Sequence, residues 1–315
     1  MYCKHFYLFN DLNFRTIFIV EILHDRLAGM ISMIVFFLLR KGSKENLNPS
    51  VPKVLSEPKF EELPWKKLYD FKNPANIPLS PSIRALTYLL IAYASTGRFT
   101  MWFESLLYTL VGMGVPMTIA MHRSLVVLLG HFAWVGVGCL ILELELKPFF
   151  NRTKTKWYKL KWDTYWLWWT LGGYFVSAWV FNIADFVNQI VLPSSVFEQA
   201  GEGVVSQLIN PENNDFAASL VGYIAPCLSA PWWEEILYRG FILPALCLQM
   251  KFWPASILSA LIFSAHHMST TGFIPLAALG MTWATLYAKC GNLLVTILIH
   301  AMWNSRVFLG SWFGL

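Results

Sequence analysis

Long apolar blocks follow one another from residue 83 almost to the end of the chain, and they limit the possible folds more than any other feature. Candidate helices cover residues 84–96, 101–121, 124–146, 162–186, 215–230, 233–250, 253–269, 272–288 and 292–310. A transmembrane α-helix needs roughly 20 mostly apolar residues, and it satisfies its backbone hydrogen bonds within its own segment. The sequence therefore predicts an all-α, multi-pass transmembrane helical bundle of about seven to nine helices.

Composition supports a membrane protein and argues against several other classes. Hydrophobic residues make up 56% of the chain and charged residues 14%, whereas soluble domains carry about 25% charged residues. The net charge of +5 is modest, and the basic residues form short blocks beside apolar segments, as at 151–161. This pattern favours contact with anionic lipid headgroups over binding of nucleic acid. The five cysteines are scattered and predict neither a zinc ribbon nor a disulfide framework.

Composition also divides the chain into regions. Residues 1–82 hold a short apolar run and then a stretch rich in proline and charge, which predicts an N-terminal segment or linker with a candidate targeting sequence or anchor. Residues 83–200 are predicted to form transmembrane helices of unassigned role. After a polar loop at 193–215, residues 215–310 carry all the candidate chemistry. The polar site is therefore expected to be buried between helices of the C-terminal half.

Two adjacent carboxylates and an arginine interrupt the apolar sequence at Glu234, Glu235 and Arg239. Ionised groups at membrane depth are costly, so they are rare, usually paired and usually functional. Adjacent residues on a helix point about 100° apart, which predicts that the two glutamates serve different surfaces. Glu235 and Arg239 stand at i and i+4, a spacing that favours an ion pair. We therefore expect this pair to brace a helix that begins near Pro231, while Glu234 faces a cavity.

Further polar residues lie in the apolar segments that follow. His267 ends a segment rich in small residues, and His266 beside it is an alternative. His300 and Asn304 stand at i and i+4, so they face the same way, and both can donate hydrogen bonds to a developing oxyanion. Taken alone, each of these residues is explained equally well by hydrogen bonding between helices. His131 has no partner pattern and is interpreted as structural.

Three motifs in three separate apolar segments carry a family resemblance. They are Glu-Glu-x-x-x-Arg, Phe-x-x-x-His beginning at Phe263, and His-x-x-x-Asn. Together they resemble the CAAX-protease and bacteriocin-processing family, which contains the membrane-embedded type II CAAX prenyl endopeptidases. The resemblance covers roughly residues 215–310 and implies an intramembrane protease core there.

The resemblance also implies a role for each matching residue. Glu234, with His267, would activate a water molecule as general base. His300 and Asn304 would stabilise the oxyanion. No cofactor and no metal ion are implied. The residues implied in a supporting role are Glu235 and Arg239.

The sequence thus predicts an intramembrane endopeptidase, a hydrolase whose peptide or protein substrate enters from the bilayer and is prenylated or membrane-associated. Two alternatives remain open. Glu234, His267 and His300 form a chemically acceptable zinc ligand set, although no helix offers the paired histidines that zinc proteases use. The chain is also compatible with a membrane scaffold that keeps the fold without proteolysis. The predicted location is a plastid membrane or another endomembrane.

Overall fold

The computed structural model describes residues 81–150, 158, 160–162, 165–199, 203–247 and 249–313. Every regular element in this part of the chain is helical, which confirms the predicted all-α class. The predicted N-terminal region lies outside the described residues except for residues 81 and 82, and most of the basic block at 151–161 lies outside them as well.

The α-helices are labelled here in chain order. They are α1 Pro81–Gly112, α2 Ile119–Phe150, α3 Trp166–Val191, α4 Ser194–Gln199, α5 Val204–Ile209, α6 Phe216–Ile224, α7 Ala230–Glu235, α8 Leu243–Cys247, α9 Phe252–His266, α10 Phe273–Cys290 and α11 Leu293–Phe313. A 3₁₀ turn spans Glu212–Asn214, and two π turns span Ala225–Ser229 and Ile236–Ile242. The polar loop predicted at 193–215 therefore contains α4, α5 and the 3₁₀ turn.

Helix α1 corrects the prediction of two helices at 84–96 and 101–121. It is continuous from Pro81 to Gly112. The polar residues between and beside the two predicted helices do not break it, because Ser95, Thr96 and Thr100 donate their hydroxyl protons to carbonyls three or four residues earlier in the helix. Such bonds satisfy the hydroxyl groups without unwinding the backbone. The helix ends before Gly114, whose φ of 95° is accessible to glycine and strained for other residues.

Pro231 was predicted to separate two helices, but the helix runs through it. The backbone is helical without interruption from Phe216 to Cys247, because α6, α7 and α8 are joined end to end by the two π turns. A proline inside an α-helix lacks an N–H and clashes with the carbonyl four residues before it. The wider π turn before Pro231 relieves the clash, and this explains why the helix continues.

The described residues fall into two compact units. The first unit takes its described residues from Lys159–Gly201 and Leu237–Ile299, and the second unit takes them from Glu61–Tyr158, Glu202–Ile236 and His300–Leu315. In the second unit α1 packs against α2, and α2 packs against α6. The Arg84–Glu145 ion pair of 2.8 Å joins the first two of these helices.

The first unit is built around α3, α9 and α10, with α10 packed against both of the others. Small residues allow the close approach, as expected between membrane helices. A Cβ atom on Gly280 of α10 would lie 3.0 Å from the backbone of Ala260 in α9. The indole N–H of Trp283 donates to the hydroxyl of Ser177 in α3 at 2.9 Å, so a buried polar pair fixes the register of α10 on α3.

Two helices are long and apolar enough to cross a membrane, judged by length and composition within the described residues. They are Ile119–Lys147, with 29 residues, and Leu293–Phe313, with 21 residues. Together with the shorter apolar helix Phe252–His266, they agree with a helical membrane bundle.

Candidate active site

His300 lies at the centre of a polar cluster in the second unit. Its Nδ1 is 3.0 Å from Oε1 of Glu235, and the side chains of the two residues are 3% and 0% exposed. A carboxylate oxygen accepts hydrogen bonds, so Nδ1 carries the proton and donates it to Glu235. In the neutral ring Nε2 then holds the lone pair. Glu235 therefore fixes both the orientation and the tautomer of His300.

Glu234 approaches the other side of the same imidazole. Its Oε2 lies 3.9 Å from Nε2 of His300, and its side chain is 12% exposed. This distance is too long for a direct hydrogen bond. The prediction that Glu234 and Glu235 serve different surfaces is wrong in this respect, because the two nitrogens of one ring face in different directions and receive both carboxylates. Of the two acids, Glu234 has the more exposed side chain, although its Oε2, which faces the ring, is buried.

Helices α1 and α2 contribute side chains beside the glutamate helix that were not predicted as site residues. Tyr93 of α1 packs edge to face on Trp134 of α2, with 5.6 Å between ring centroids. The Nε2 atom of His131 in α2 lies 3.2 Å from the Ser229 hydroxyl. His131 was interpreted as structural because it has no spaced partner, although an ionisable residue within a membrane helix is itself a functional signal.

The indole of Trp233, next to Glu234, is fully buried against α2. It makes an edge-to-face contact with Trp134, with 5.7 Å between ring centroids. A Cβ atom added to Gly138 of α2 would overlap the Trp233 ring. The helix that carries the two glutamates is thus seated on α2 through a large aromatic side chain and a glycine that leaves room for it.

Asn304 uses part of its amide within the protein. Its Nδ2 donates to the carbonyl oxygen of Pro226 at 2.7 Å, which joins α11 to the first π turn. The next residue, Ser305, exchanges a hydrogen bond of 2.7 Å with the Tyr223 hydroxyl. Asn304 and His300 therefore lie on the same side of α11, as their spacing predicted, and both contact the helix that carries the glutamates.

Arg239 is held inside the first unit. Its guanidinium donates to the carbonyl oxygen of Gly280 at 3.1 Å. The guanidinium carbon lies 4.7 Å from the ring centre of Phe263 and 5.3 Å from that of Trp283. A buried guanidinium on aromatic faces gains cation–π stabilisation. Arg239 thus ties the second π turn to α9 and α10, which agrees with a supporting role, and the predicted ion pair with Glu235 stays a prediction.

His267 follows the last residue of α9. Its Nδ1 donates to the Phe263 carbonyl at 2.8 Å, and its ring meets the Phe263 ring edge to face at 4.7 Å. In the neutral ring Nε2 therefore holds the lone pair, as a general base requires. His266 packs instead toward Tyr238, with 6.1 Å between the rings. In the first unit, Arg239 and His267 therefore both contact the ring of Phe263.

The described residues contain no group of three or more His, Cys, Asp and Glu side chains arranged to hold a metal ion. The donors gathered at His300 in the second unit are already engaged with one another through the Nδ1–Glu235 bond. The chemistry that this arrangement offers is proton transfer between carboxylates and imidazole.

Comparison with known proteins finds a similarity in the C-terminal part of the chain. Residues 216–306 match the family model described as "Type II CAAX prenyl endopeptidase Rce1-like", and this confirms the resemblance. A curated protein of Bacillus subtilis (strain 168), named "Putative membrane peptidase YdiL", is 26% identical over 141 residues, which are 45% of this chain and 54% of that protein. The match thus spans about half the length of the relative. No solved structure matches this chain.

Proposed function

We propose that this chain, whose residues 216–306 are similar to type II CAAX prenyl endopeptidases, is a membrane-embedded endopeptidase that hydrolyses a peptide bond with a water molecule activated by Glu234. One observation carries this proposal. His300 is buried between two carboxylates, with Nδ1 bonded to Glu235 and Nε2 facing Glu234 at 3.9 Å. A structural ion pair needs one carboxylate, whereas two carboxylates face this imidazole and the side chain of the second is 12% exposed.

The distances suit a shared water molecule. Two polar atoms 3.9 Å apart do not bond directly, but one water can bond to both of them. Glu234 would remove a proton from this water as its oxygen attacks the scissile carbonyl. The tetrahedral intermediate would then collapse, and the proton would pass from Glu234 to the leaving amine. The products are a new carboxyl end and a new amino end, with one water consumed.

The proposal also covers the roles of three further residues, the substrate and the location of the protein. His267 would assist in activating the water, and Asn304 would donate to the oxyanion. His300 would also donate to it in its protonated form, in which Nε2 carries a proton as well as Nδ1. These roles rest on the motif resemblance. The substrate would be a prenylated or membrane-associated peptide that enters from the bilayer, because the matching family model is described as a CAAX prenyl endopeptidase. Residues 215–310 would form the protease core, and a plastid membrane or another endomembrane would be its location.

Rescue of a strain that lacks this protein tests the proposal. Glu234→Gln removes the base but keeps the size of the side chain, and it should abolish rescue at normal abundance in the membrane. The matched control is Glu143→Gln, since the Glu143 side chain is 56% exposed on the same unit. Full rescue by Glu234→Gln would instead support the non-proteolytic scaffold. Stoichiometric zinc that is lost together with activity would support the metalloprotease alternative.

A further inference from the structure

The first π turn leaves a carbonyl without its helical donor. In this turn the N–H of Ala230 bonds to the carbonyl oxygen of Ala225, five residues earlier. The next bond in the same register would join the nitrogen of residue 231 to the oxygen of Pro226. Residue 231 is proline, which has no N–H to donate. A backbone carbonyl inside a membrane bundle that has lost its helical donor is energetically costly unless another donor bonds to it.

Asn304 supplies that donor. Its Nδ2 lies 2.7 Å from the oxygen of Pro226, so a side-chain amide on α11 takes the place of the backbone N–H that Pro231 lacks. We propose that Asn304 is a positioning residue that holds the first π turn in register, and that it acts on the proposed peptidase site through the helix carrying Glu234 and Glu235.

The register of this π turn decides where the glutamates point. A π turn places one more residue in the turn than an α turn does, so every residue after it is rotated by about 100° relative to an uninterrupted α-helix. Glu234 and Glu235 follow the turn closely. Loss of the π register would therefore rotate their carboxylates away from His300, which contacts both of them at 3.9 and 3.0 Å.

Helix α11 contacts the glutamate helix through two side chains that lie one helical turn apart on α11. His300 bonds to Glu235, and Asn304 bonds to Pro226. The two contacts fix both the position and the rotation of the glutamate helix on α11. The amide of Asn304 has two N–H groups, so one can bond to Pro226 while the other donates to an oxyanion. Only the positioning role depends on residue 231, and the two roles therefore give different expectations for the same variants.

A double-mutant cycle separates these roles. Pro231→Ala restores a backbone N–H that can bond to Pro226 in the π register. Asn304→Leu removes the amide at constant size. The variants to compare are the parent, each single variant and the double variant. The readouts are the thermal unfolding midpoint in detergent and the cleavage of a farnesylated peptide in liposomes.

We expect Asn304→Leu to lower both the midpoint and the cleavage rate in the parent. In the Pro231→Ala background, the fold-loss of cleavage rate caused by Asn304→Leu should be at least tenfold smaller than in the parent. The shift of the unfolding midpoint should also be much smaller. If the Asn304→Leu single variant does not accumulate in the membrane, accumulation of the double variant would show the same coupling between Asn304 and Pro231, measured through folding. Equal losses in both backgrounds would overturn the proposal, because an oxyanion donor is worth roughly 10²- to 10³-fold in kcat whatever residue 231 is.

The unfolding measurement keeps this test independent of the proposed activity. If the parent does not cleave the peptide, the proposed function fails, but the midpoints still report whether Asn304 and Pro231 are coupled. Ser305→Ala is the matched control. It removes the neighbouring hydrogen bond to Tyr223 and should change the midpoint by the same amount in both backgrounds.

Discussion

At the scale of single residues, the site depends on how two adjacent glutamates divide their work around one imidazole. The Glu235 side chain is fully buried and bonds to Nδ1 of His300, while the Glu234 side chain is 12% exposed and faces Nε2. The Glu234 side chain is partly exposed although its Oε2 is buried, and we propose that it meets the water and the substrate. The Glu235 side chain is fully buried and holds the ring. The geometry thus gives Glu235 an orienting role toward His300.

Glu235→Gln tests this division of roles. A glutamine can donate as well as accept, so it permits the wrong tautomer of His300. We expect kcat for a farnesylated peptide to fall by roughly 10²- to 10⁴-fold, as loss of an orienting acid does in other hydrolases. The fold should be kept, because the size of the side chain is unchanged. Steady-state kinetics in liposomes measure the effect.

Glu145→Gln is the control for Glu235→Gln. Glu145 is also a poorly exposed acid of the second unit, and it pairs with Arg84 at 2.8 Å. Its replacement should lower thermal stability and leave kcat unchanged. Equal losses of kcat in the two variants would mean that Glu235 acts only through stability.

The residues that form the polar cluster were more predictable from the sequence than their geometry. Glu234, Glu235 and His300 stand out because ionisable side chains are rare in apolar segments. The sequence did not predict that both glutamates face His300. The rule of about 100° per residue gives the directions in which side chains leave the backbone, but it does not give the positions of the carboxylates at the ends of two long side chains. The role of His131 also depends on packing between helices that are distant in the sequence.

At the scale of helices, a glycine in α2 sets how closely the glutamate helix can approach. A Cβ atom on Gly138 would overlap the buried Trp233 ring, whereas a Cβ atom on Gly136 would meet no atom within 4 Å. The two glycines lie on the same helix and differ in what faces them. They therefore separate the effect of packing from that of helix propensity.

We predict opposite results for alanine at the two glycines of α2. Gly138→Ala should destabilise the protein by about 1–3 kcal/mol through overpacking, and it should lower activity because Trp233 is adjacent to Glu234. Gly136→Ala should be neutral, or stabilising by up to about 1 kcal/mol, because alanine favours the helix. Thermal unfolding in detergent compares the two. Equal midpoints would contradict the packing seen here.

The start of α6 predicts a dependence of stability on pH. The Thr118 hydroxyl, with the backbone N–H groups of Ala218 and Ala217, holds the pKa of the Asp215 carboxyl below its usual range. A carboxyl whose pKa is depressed by folding stabilises the protein above the unfolded pKa, which is about 3.9. We expect this contribution to be complete near pH 6 and to be lost as the pH falls below about 4 through the folded pKa.

Asp215→Asn checks the expected pH dependence. Its side-chain oxygen can still accept from Ala218, but it has no proton to gain. The unfolding midpoint of the variant should fall less between pH 6 and pH 3 than that of the parent. An identical fall in both proteins would show that other groups cause it.

The locations of helices were largely predictable, but their continuity was not. The last three candidate helices agree with α9, α10 and α11 within about three residues. Two errors arose where a local break signal was overridden. Hydroxyl groups near Ser95 bond back into α1, and the π turn before Pro231 absorbs the proline. Both depend on hydrogen bonds that composition does not reveal.

At the scale of the whole molecule, the matched family region does not contain all the residues that pack around the glutamates. Residues 216–306 contain the three motifs. Trp134 and Gly138, which pack against Trp233 beside Glu234, come from α2, and Tyr93 of α1 packs on Trp134. These helices belong to the same unit as Glu234. The region of predicted unassigned role therefore shapes the candidate site.

The second unit also predicts a membrane topology. The bonds from Thr118 to Asp215 and from Arg123 to Glu212 tie the 3₁₀ turn to the start of α2. Lys147 lies at the other end of the 29-residue span, about 44 Å away along the helix axis. Since the hydrocarbon core is about 30 Å thick, we expect the two ends to face opposite sides.

Cysteine labelling tests this topology. In a cysteine-free background, Glu212→Cys and Lys147→Cys replace side chains that are 51% and 55% exposed. A maleimide that does not cross membranes should label the two variants from opposite sides. By the positive-inside rule, Lys147 and the basic block at 151–161 should face the cytosol or a stroma-like compartment. Labelling of both positions from one side would contradict α2 as a span.

The most direct measurement is the cleavage of a farnesylated peptide by the purified protein in liposomes, with parent, Glu234→Gln and Glu143→Gln compared at equal amounts of folded protein. The parent and Glu143→Gln should release the same carboxyl-terminal fragment at similar rates. Glu234→Gln should release none above background. Cleavage by Glu234→Gln at the rate of the parent would contradict the proposal that Glu234 activates the water.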